Sequence, residues 1–179
     1  MTGPTTVRVV ATGSSWTGNG VSSIYTVTEE LISHARKEIH VTAYALGKEA
    51  SAIVDLLESK AREGVEILIV VNRLENQPLA MVNRLRRLQR GLPTFDVYSF
   101  GTNSKGAELH AKLLVVDRRE ALVASSNLSW HGLVGNHELG ILVQGSPAAK
   151  IARLIDKLAG GNLVKALPSG GEDERLQLP

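Results

Sequence analysis

The 179-residue sequence has no cysteine, and this excludes disulfides, thiolate-bound zinc and thiol catalysis. It leaves the compartment open, because a chain without thiols suits any redox setting. No apolar run approaches the roughly 20 residues of a membrane-spanning helix. VEILIVV at 65–71 is far too short. The N-terminus, MTGPTTVRVV, has no basic segment followed by a long apolar run, so no secretory signal is expected. A cytoplasmic protein without a membrane segment is the expectation. Neither sign of charge dominates: 20 Lys and Arg face 18 Asp and Glu, for a net charge of +2 and a pI of about 9.0. Any attraction for an anionic polymer must therefore come from local clustering.

What remains is ordinary for a globular protein: 43% hydrophobic and 21% charged residues, in a length suited to one core. Short β-type runs alternate with helical ones. Strands are predicted at 7–11, 38–44, 65–71, 94–100, 109–117, 121–127 and 138–143. The nearly all-apolar run 65–71 predicts burial on both faces. Helices are predicted at 23–37, 48–62, 78–90 and 147–158, with Pro78 and Pro147 in first turns and Gly64 and Gly91 as stops. Arg118-Arg119-Glu120 reads as a hairpin turn. The order βαβαβα, then clustered strands, then a helix predicts an α/β fold, a mixed sheet with helices on both faces. Residues 168–179, PSGGEDERLQLP, read as a flexible tail.

The loop 12–20 nearly matches a phosphate-binding P-loop, but Asn19-Gly20 stands where Lys-Ser/Thr is required. Nucleotide hydrolysis is therefore excluded. The loop is either a plain connection or the rim of a site, with Trp16 able to stack on a base.

The chemistry concentrates further on. On a strand, His110 and Lys112 point to one face. Ser125 and Asn127 are again two apart on the next strand. A phosphodiester's transition state gathers negative charge on its non-bridging oxygens, where a lysine charge and amide donors are of most use. A neutral His110 can attack phosphorus if an acceptor holds its other nitrogen, and Glu138 is the expected acceptor. Asp117, seven residues past His110, falls on the opposite face, so a structural role is expected, with Arg118 or Arg119 as its partner.

His110-x-Lys112-x4-Asp117-x6-Ala124-Ser125-x-Asn127 resembles the HKD motif of the phospholipase D superfamily, and Glu138 matches the family's downstream glutamate. The resemblance spans roughly residues 23–158 and departs from the family at Ala124, where a glycine is usual. It implies a phospholipase D-like catalytic domain over 1–167 and a phosphohistidine mechanism with no cofactor and no metal. The expected catalytic residues are His110, Lys112, Ser125, Asn127 and Glu138. Longer family members carry two motifs, and this chain has one. Resemblance to the short bacterial nucleases therefore implies a homodimer with the active site at its two-fold axis.

The helix at 78–90 carries Arg84, Arg86, Arg87 and Arg90 with no acid among them. It reads either as a solvated face or as a phosphate-tracking patch. Trp16, Arg84, Arg87 and His131 are the expected substrate contacts, and His137 also flanks the loop before Glu138. His34 and His40 read as structural residues without partners. A nuclease acting on DNA or RNA is the expected function. The alternatives are a phospholipid-directed phosphodiesterase and a non-catalytic nucleic-acid-binding module. The resemblance also allows a helicase or phage-defence partner.

Overall fold

The computed structural model describes residues 4–101 and 106–167. The expected tail at 168–179 lies outside the described residues. In chain order the elements are β1 (Thr6–Thr12), β2 (Ser22–Ser23), α1 (Ile24–His34), β3 (Glu38–Ala43), α2 (Ala50–Arg62), β4 (Glu66–Asn72), α3 (Leu79–Gly91), β5 (Phe95–Phe100), β6 (Lys112–Val116), β7 (Glu120–Ala124), β8 (Glu138–Gln144), α4 (Ser146–Ala159) and β9 (Val164–Ala166). A 3-10 turn at Leu74–Asn76 precedes α3, and a π-type turn at His131–Gly135 precedes β8.

The nine strands form one sheet in the order β2-β1-β8-β7-β6-β3-β4-β5-β9. It is mixed, as expected: β3, β4 and β5 run parallel, and β6, β7, β8 and β1 follow antiparallel. The apolar stripes of α1, α2 and α3 (Val27 and Leu31; Ile53 and Leu57; Val82 and Leu85) share one large core on one face. Ala148, Ala152 and Ile155 of α4 pack with Val70, Val115 and Ala121 on the other face. Ile67, Ile69, Val70 and Val71 are all buried, so β4 is covered on both faces as its composition predicts.

The strand β9 carries no strong pattern in its three residues and was not predicted. The helix α1 stops at His34, three residues short of the expected end. Asp117 supplies the reason. Its carboxylate accepts the backbone N–H groups of Arg36 (3.0 Å), Lys37 (2.7 Å) and Glu38 (3.1 Å). Those amides are thereby turned out of the helix and into the start of β3. Asp117 and Arg118 form the hairpin tip with φ of 51° and 54°, and Arg119 N donates to Val116 O at 2.9 Å. Positive φ at both central residues gives the primed twist that suits a hairpin.

Three pairings correct the sequence reading. Arg118 does not pair with Asp117. It bonds Glu38 at 2.6 and 3.1 Å and Asp156 of α4 at 2.7 Å. Those two carboxylates hold its guanidinium protonated well above its ordinary range. His34 meets Glu120 at 2.6 Å, and the buried His40 meets Asp156 at 2.9 Å, so neither is partnerless. Burial pushes the Asp156 carboxyl up, but Arg118 and His40 together draw it below the usual carboxylate value. This network ties α4 to the end of the sheet opposite His110.

Replacing Asp117 with Ala strands three backbone donors. The expected loss is about 1–3 kcal/mol, the range for hydrogen bonds to a charged group. Urea unfolding measures it. Spectroscopically native protein at low urea distinguishes this capping role from a role in the site.

Candidate active site

The site forms where β3 and β4 end and β6 and β8 begin. This is the carboxyl edge of the parallel strands, where open α/β sheets place ligands. His110 lies just outside a strand, and this corrects the expectation of a strand from 109. The ladder between β6 and β3 ends at the pair Leu113 and Thr42. Beyond it, side chains take over from backbone. The buried Thr42 hydroxyl donates to Ala111 O at 2.9 Å and accepts Leu113 N at 3.1 Å. The buried Asn72 Oδ1 at the end of β4 accepts Leu109 N at 2.9 Å. Residues 109–111 are thus tied to the sheet without joining its ladder, and His110 is left exposed on top.

His110 and Lys112 do converge. Lys112 Nζ lies 3.0 Å from His110 Nδ1 and donates to His110 O at 3.0 Å. An ammonium only donates, so Nδ1 accepts there. Tyr44, one residue past β3, packs against the His110 ring at a centroid distance of 4.4 Å and an angle of 51°. The same ring lies 5.4 Å below Lys112 Nζ, within cation–π range. Sequence reading missed Tyr44. Its only signal was an aromatic residue at the end of a strand whose neighbour carries the histidine. Gln77 fixes this corner: its amide accepts Leu46 N and donates to Tyr44 O and Asn72 O.

A second group stands on β7 and β8. Glu138 accepts the Ser125 hydroxyl through Oε2 and the Asn136 side-chain amide through Oε1, the latter at 3.1 Å. Leu139 N donates back to Ser125 Oγ at 3.2 Å. Within one chain Glu138 therefore holds Ser125, and the expected contact from Glu138 to the imidazole of His110 is not made. The strand β7 stops at Ala124, so Ser125 and Asn127 lie beyond it. Asn127 is half-buried, and its Oδ1 has no hydrogen-bond partner. Ala124 fits where the family has glycine because β8 gives way opposite it. Ala124 pairs with Gly140, where a Cβ would stand 3.1 Å from the Ala124 Cβ. The backbone of Ala124 is not left-handed.

Lys112 links the two groups. Burial lowers its pKa below the ordinary lysine value, and the nearby Glu138 carboxylate opposes that fall. The expected substrate contacts divide. Trp16 is half-exposed and meets His137 edge-on at 5.3 Å. His131 is exposed beside Trp130. Arg87 is exposed on α3. Arg84 is not free, because its guanidinium bonds Asp55, Glu58 (3.3 Å) and Ser51 O (3.2 Å) of α2. The acids that neutralise Arg84 lie on a different helix, which a reading of residues 78–90 alone does not reveal. Among the described residues no cluster of His, Asp and Glu is placed to hold a metal, and no helix is long and apolar enough to cross a membrane.

Comparison with known proteins finds relatives in sequence and in fold. The family described as "Cardiolipin synthase, PLD-like domain" matches residues 29–158. A DISARM protein DrmC from Bacillus paralicheniformis is 32% identical over 157 residues, covering 87% of this chain. The chain spans 64% of that relative's length. Nuc from Salmonella typhimurium, described as a phospholipase D family member, superposes with a TM-score of 0.70 at 17% identity, over 92% of this chain and 99% of Nuc. NucT from Helicobacter pylori superposes with a TM-score of 0.70 at 14% identity, over 92% of this chain and 100% of NucT.

The opposed effects on Lys112 are separable. Lysine is charged below its pKa, so the cation is lost as pH rises through a value below the ordinary one. In Glu138→Gln the carboxylate no longer opposes burial, and the titration moves to still lower pH. A carbon NMR titration of the Lys112 Cε reads this. An unmoved midpoint shows that Glu138 does not act on Lys112.

Proposed function

The chain belongs to the phospholipase D superfamily, and we propose that it is a metal-independent phosphodiesterase that cleaves DNA or RNA through a phosphohistidine. The observation that carries this reading is the imidazole of His110 held between a lysine ammonium at 3.0 Å and the face of Tyr44. In the free chain Lys112 donates to Nδ1 and masks it. A bound phosphodiester offers non-bridging oxygens that compete for the same ammonium, with charge-assisted hydrogen bonds as the gain. Lys112 then moves onto the phosphate, where charge develops in the transition state. The neutral imidazole attacks phosphorus, the phosphorus–oxygen bond to the leaving group breaks, and the leaving oxygen takes a proton. Water then attacks the phosphohistidine, giving up a proton to the group that protonated the leaving oxygen, and the phosphorus–nitrogen bond breaks to free His110. Ser125, Asn127 and Glu138 line the phosphate position. Arg87 and His131 extend the contact to the neighbouring backbone and Trp16 to a base.

One histidine cannot be both nucleophile and acid across one phosphorus atom. The second comes from a second copy about a two-fold axis. A fitting surface begins beside the site. Val7, Val9, Leu139 and Ile141 are 62%, 50%, 53% and 38% exposed. Register places Val9 opposite Ile141, and Leu139 follows Glu138 directly. The strand β2 pairs only with Val10 and Ala11, so the outer edge of Thr6–Val9 is unpaired among the described residues. Contiguous bare apolar area beside a half-site supports a second copy as its occupant. The name of the Bacillus relative, a DISARM protein, supports a place in a phage-defence system.

Wild type is expected to cleave labelled DNA or RNA in EDTA, while His110→Ala falls at least 100-fold, in line with loss of a nucleophile. Acid-labile, base-stable phosphate on His110 marks the intermediate. Unchanged cleavage by His110→Ala, or hydrolysis of phosphatidylcholine with no action on nucleic acid, defeats the nuclease reading. For the second copy, Val9→Asp with Ile141→Asp is expected to give folded monomers with little activity by light scattering and assay. A fully active monomer removes the two-fold site.

A further inference from the structure

Trp16 stands on the turn that follows β1 and is 48% exposed. It is nonetheless firmly placed. Gly13 O accepts three donors: Trp16 N at 3.0 Å, Thr17 N at 3.1 Å and Thr17 Oγ1 at 3.1 Å. Gly13 itself has a φ of 106°, and the ring of His137 occupies the space of its absent side chain, 2.7 Å from where a Cβ would stand. The ring so seated meets the indole edge-on at 82°, and its Nε2 lies 2.5 Å from Ser15 Oγ. These bonds fix the turn that carries Trp16, and His137 packs on its indole, while about half the residue's surface stays bare.

A large aromatic ring gains most by burial, so a loosely held indole collapses onto its neighbours. One held out by its surroundings is a prepared surface whose ordering is already complete before a ligand arrives. Its position narrows the ligand. His137 precedes Glu138, and Glu138 accepts the Ser125 hydroxyl. The indole is therefore a short chain of contacts from the phosphate position. In the proposed reaction the substrate is nucleic acid, and its bases are the aromatic groups that a bare indole beside the site can take. Every base has a π-face, but in a duplex that face is covered by its stacked neighbours.

We propose that Trp16 is a stacking platform for an unpaired base beside the scissile phosphate, with His137 as its positioning residue, so that the enzyme selects single strands over duplexes. This rests on the nuclease reading and adds strand selectivity to it. Ser15 and Gly13 hold His137, and His137 holds the indole.

The test uses the full chain, fluorescein-labelled single-stranded oligonucleotides, the matching duplex, and a series of strands with one abasic position walked across the cleavage point. Wild type is expected to favour the single strand. Trp16→Ala is expected to raise KM for the intact strand about 5- to 150-fold, the range for loss of one base–aromatic stack. The effect falls on KM more than on kcat. With one particular base removed, wild type and Trp16→Ala converge, because each lacks half of the same contact. Trp16→Phe restores part of the loss, and His137→Ala gives a smaller loss of the same kind. The chain has two tryptophans. In Trp130→Phe the single remaining indole should therefore be quenched by single-stranded oligonucleotide and not by duplex. Equal KM in wild type and Trp16→Ala overturns the proposal while leaving the nuclease reading intact. So does a loss that no abasic position erases, or a Trp16→Ala protein that turns monomeric. A wild type that cleaves no nucleic acid fails earlier, at the nuclease reading itself.

Discussion

The Thr42 hydroxyl holds Ala111 O and Leu113 N at once, and the position of His110 depends on that double bond. A strand that continued to residue 109 would use its backbone groups in the ladder and send alternate side chains to opposite faces. Thr42 and Asn72 instead receive those groups one by one. The segment stays close to the sheet but is released from its pleat. An exposed imidazole can then sit above the strand ends, with its backbone still satisfied. Satisfied backbone matters because a buried polar group left unpaired costs about 1–3 kcal/mol. Burial of Thr42 and Asn72 among β3, β4 and β6 makes this a rigid mount.

On that mount a single cation serves two surroundings. Lys112 is partly buried, which disfavours its charge, and Glu138 favours it. Tyr44 offers a ring face to the ammonium and to His110 alike. An ammonium in such a setting has weak claims from water and several from protein groups. A phosphodiester is the ligand that outbids them, being anionic and rich in acceptors. The same competition that satisfies the phosphate uncovers His110 Nδ1. Binding and activation of the nucleophile are then one event on this reading.

Much of this was legible in the sequence where one residue's neighbours along the chain decide its fate. The run at 65–71 reads as a buried strand and is one, whereas His110 and Lys112 meet as expected although His110 lies outside the strand that the expectation assumed. The reading failed where the deciding partner is far off in sequence. Asp117 sets the end of α1 through amides about eighty residues earlier. Arg84 looked like free positive charge until Asp55 and Glu58 of α2 stood beside it. Tyr44 and Gln77 carry no motif at all and matter only because the sheet order sets β3 next to β6. Composition and spacing speak for local pattern, whereas ion pairs between helices and side chains that replace a ladder are products of topology.

The least expected partner is that of Glu138. A nucleophilic imidazole gains from a carboxylate that stabilises its cation, yet within one chain Glu138 is spent on Ser125 and Asn136. In the described contacts His110 meets no carboxylate, only the Lys112 ammonium and the Tyr44 ring. On the proposed mechanism the leaving group needs an acid on the far side of phosphorus from the attacking nitrogen. The second role therefore needs a differently placed imidazole. On the proposed two-chain reading, a copy rotated about an axis through the site brings one, and a second Glu138 with it. The exposed Val7, Val9, Leu139 and Ile141 are the apolar surface available to such a copy on that reading. On that reading the copy supplies position and not a different environment, because its His110 carries the same Lys112 contact.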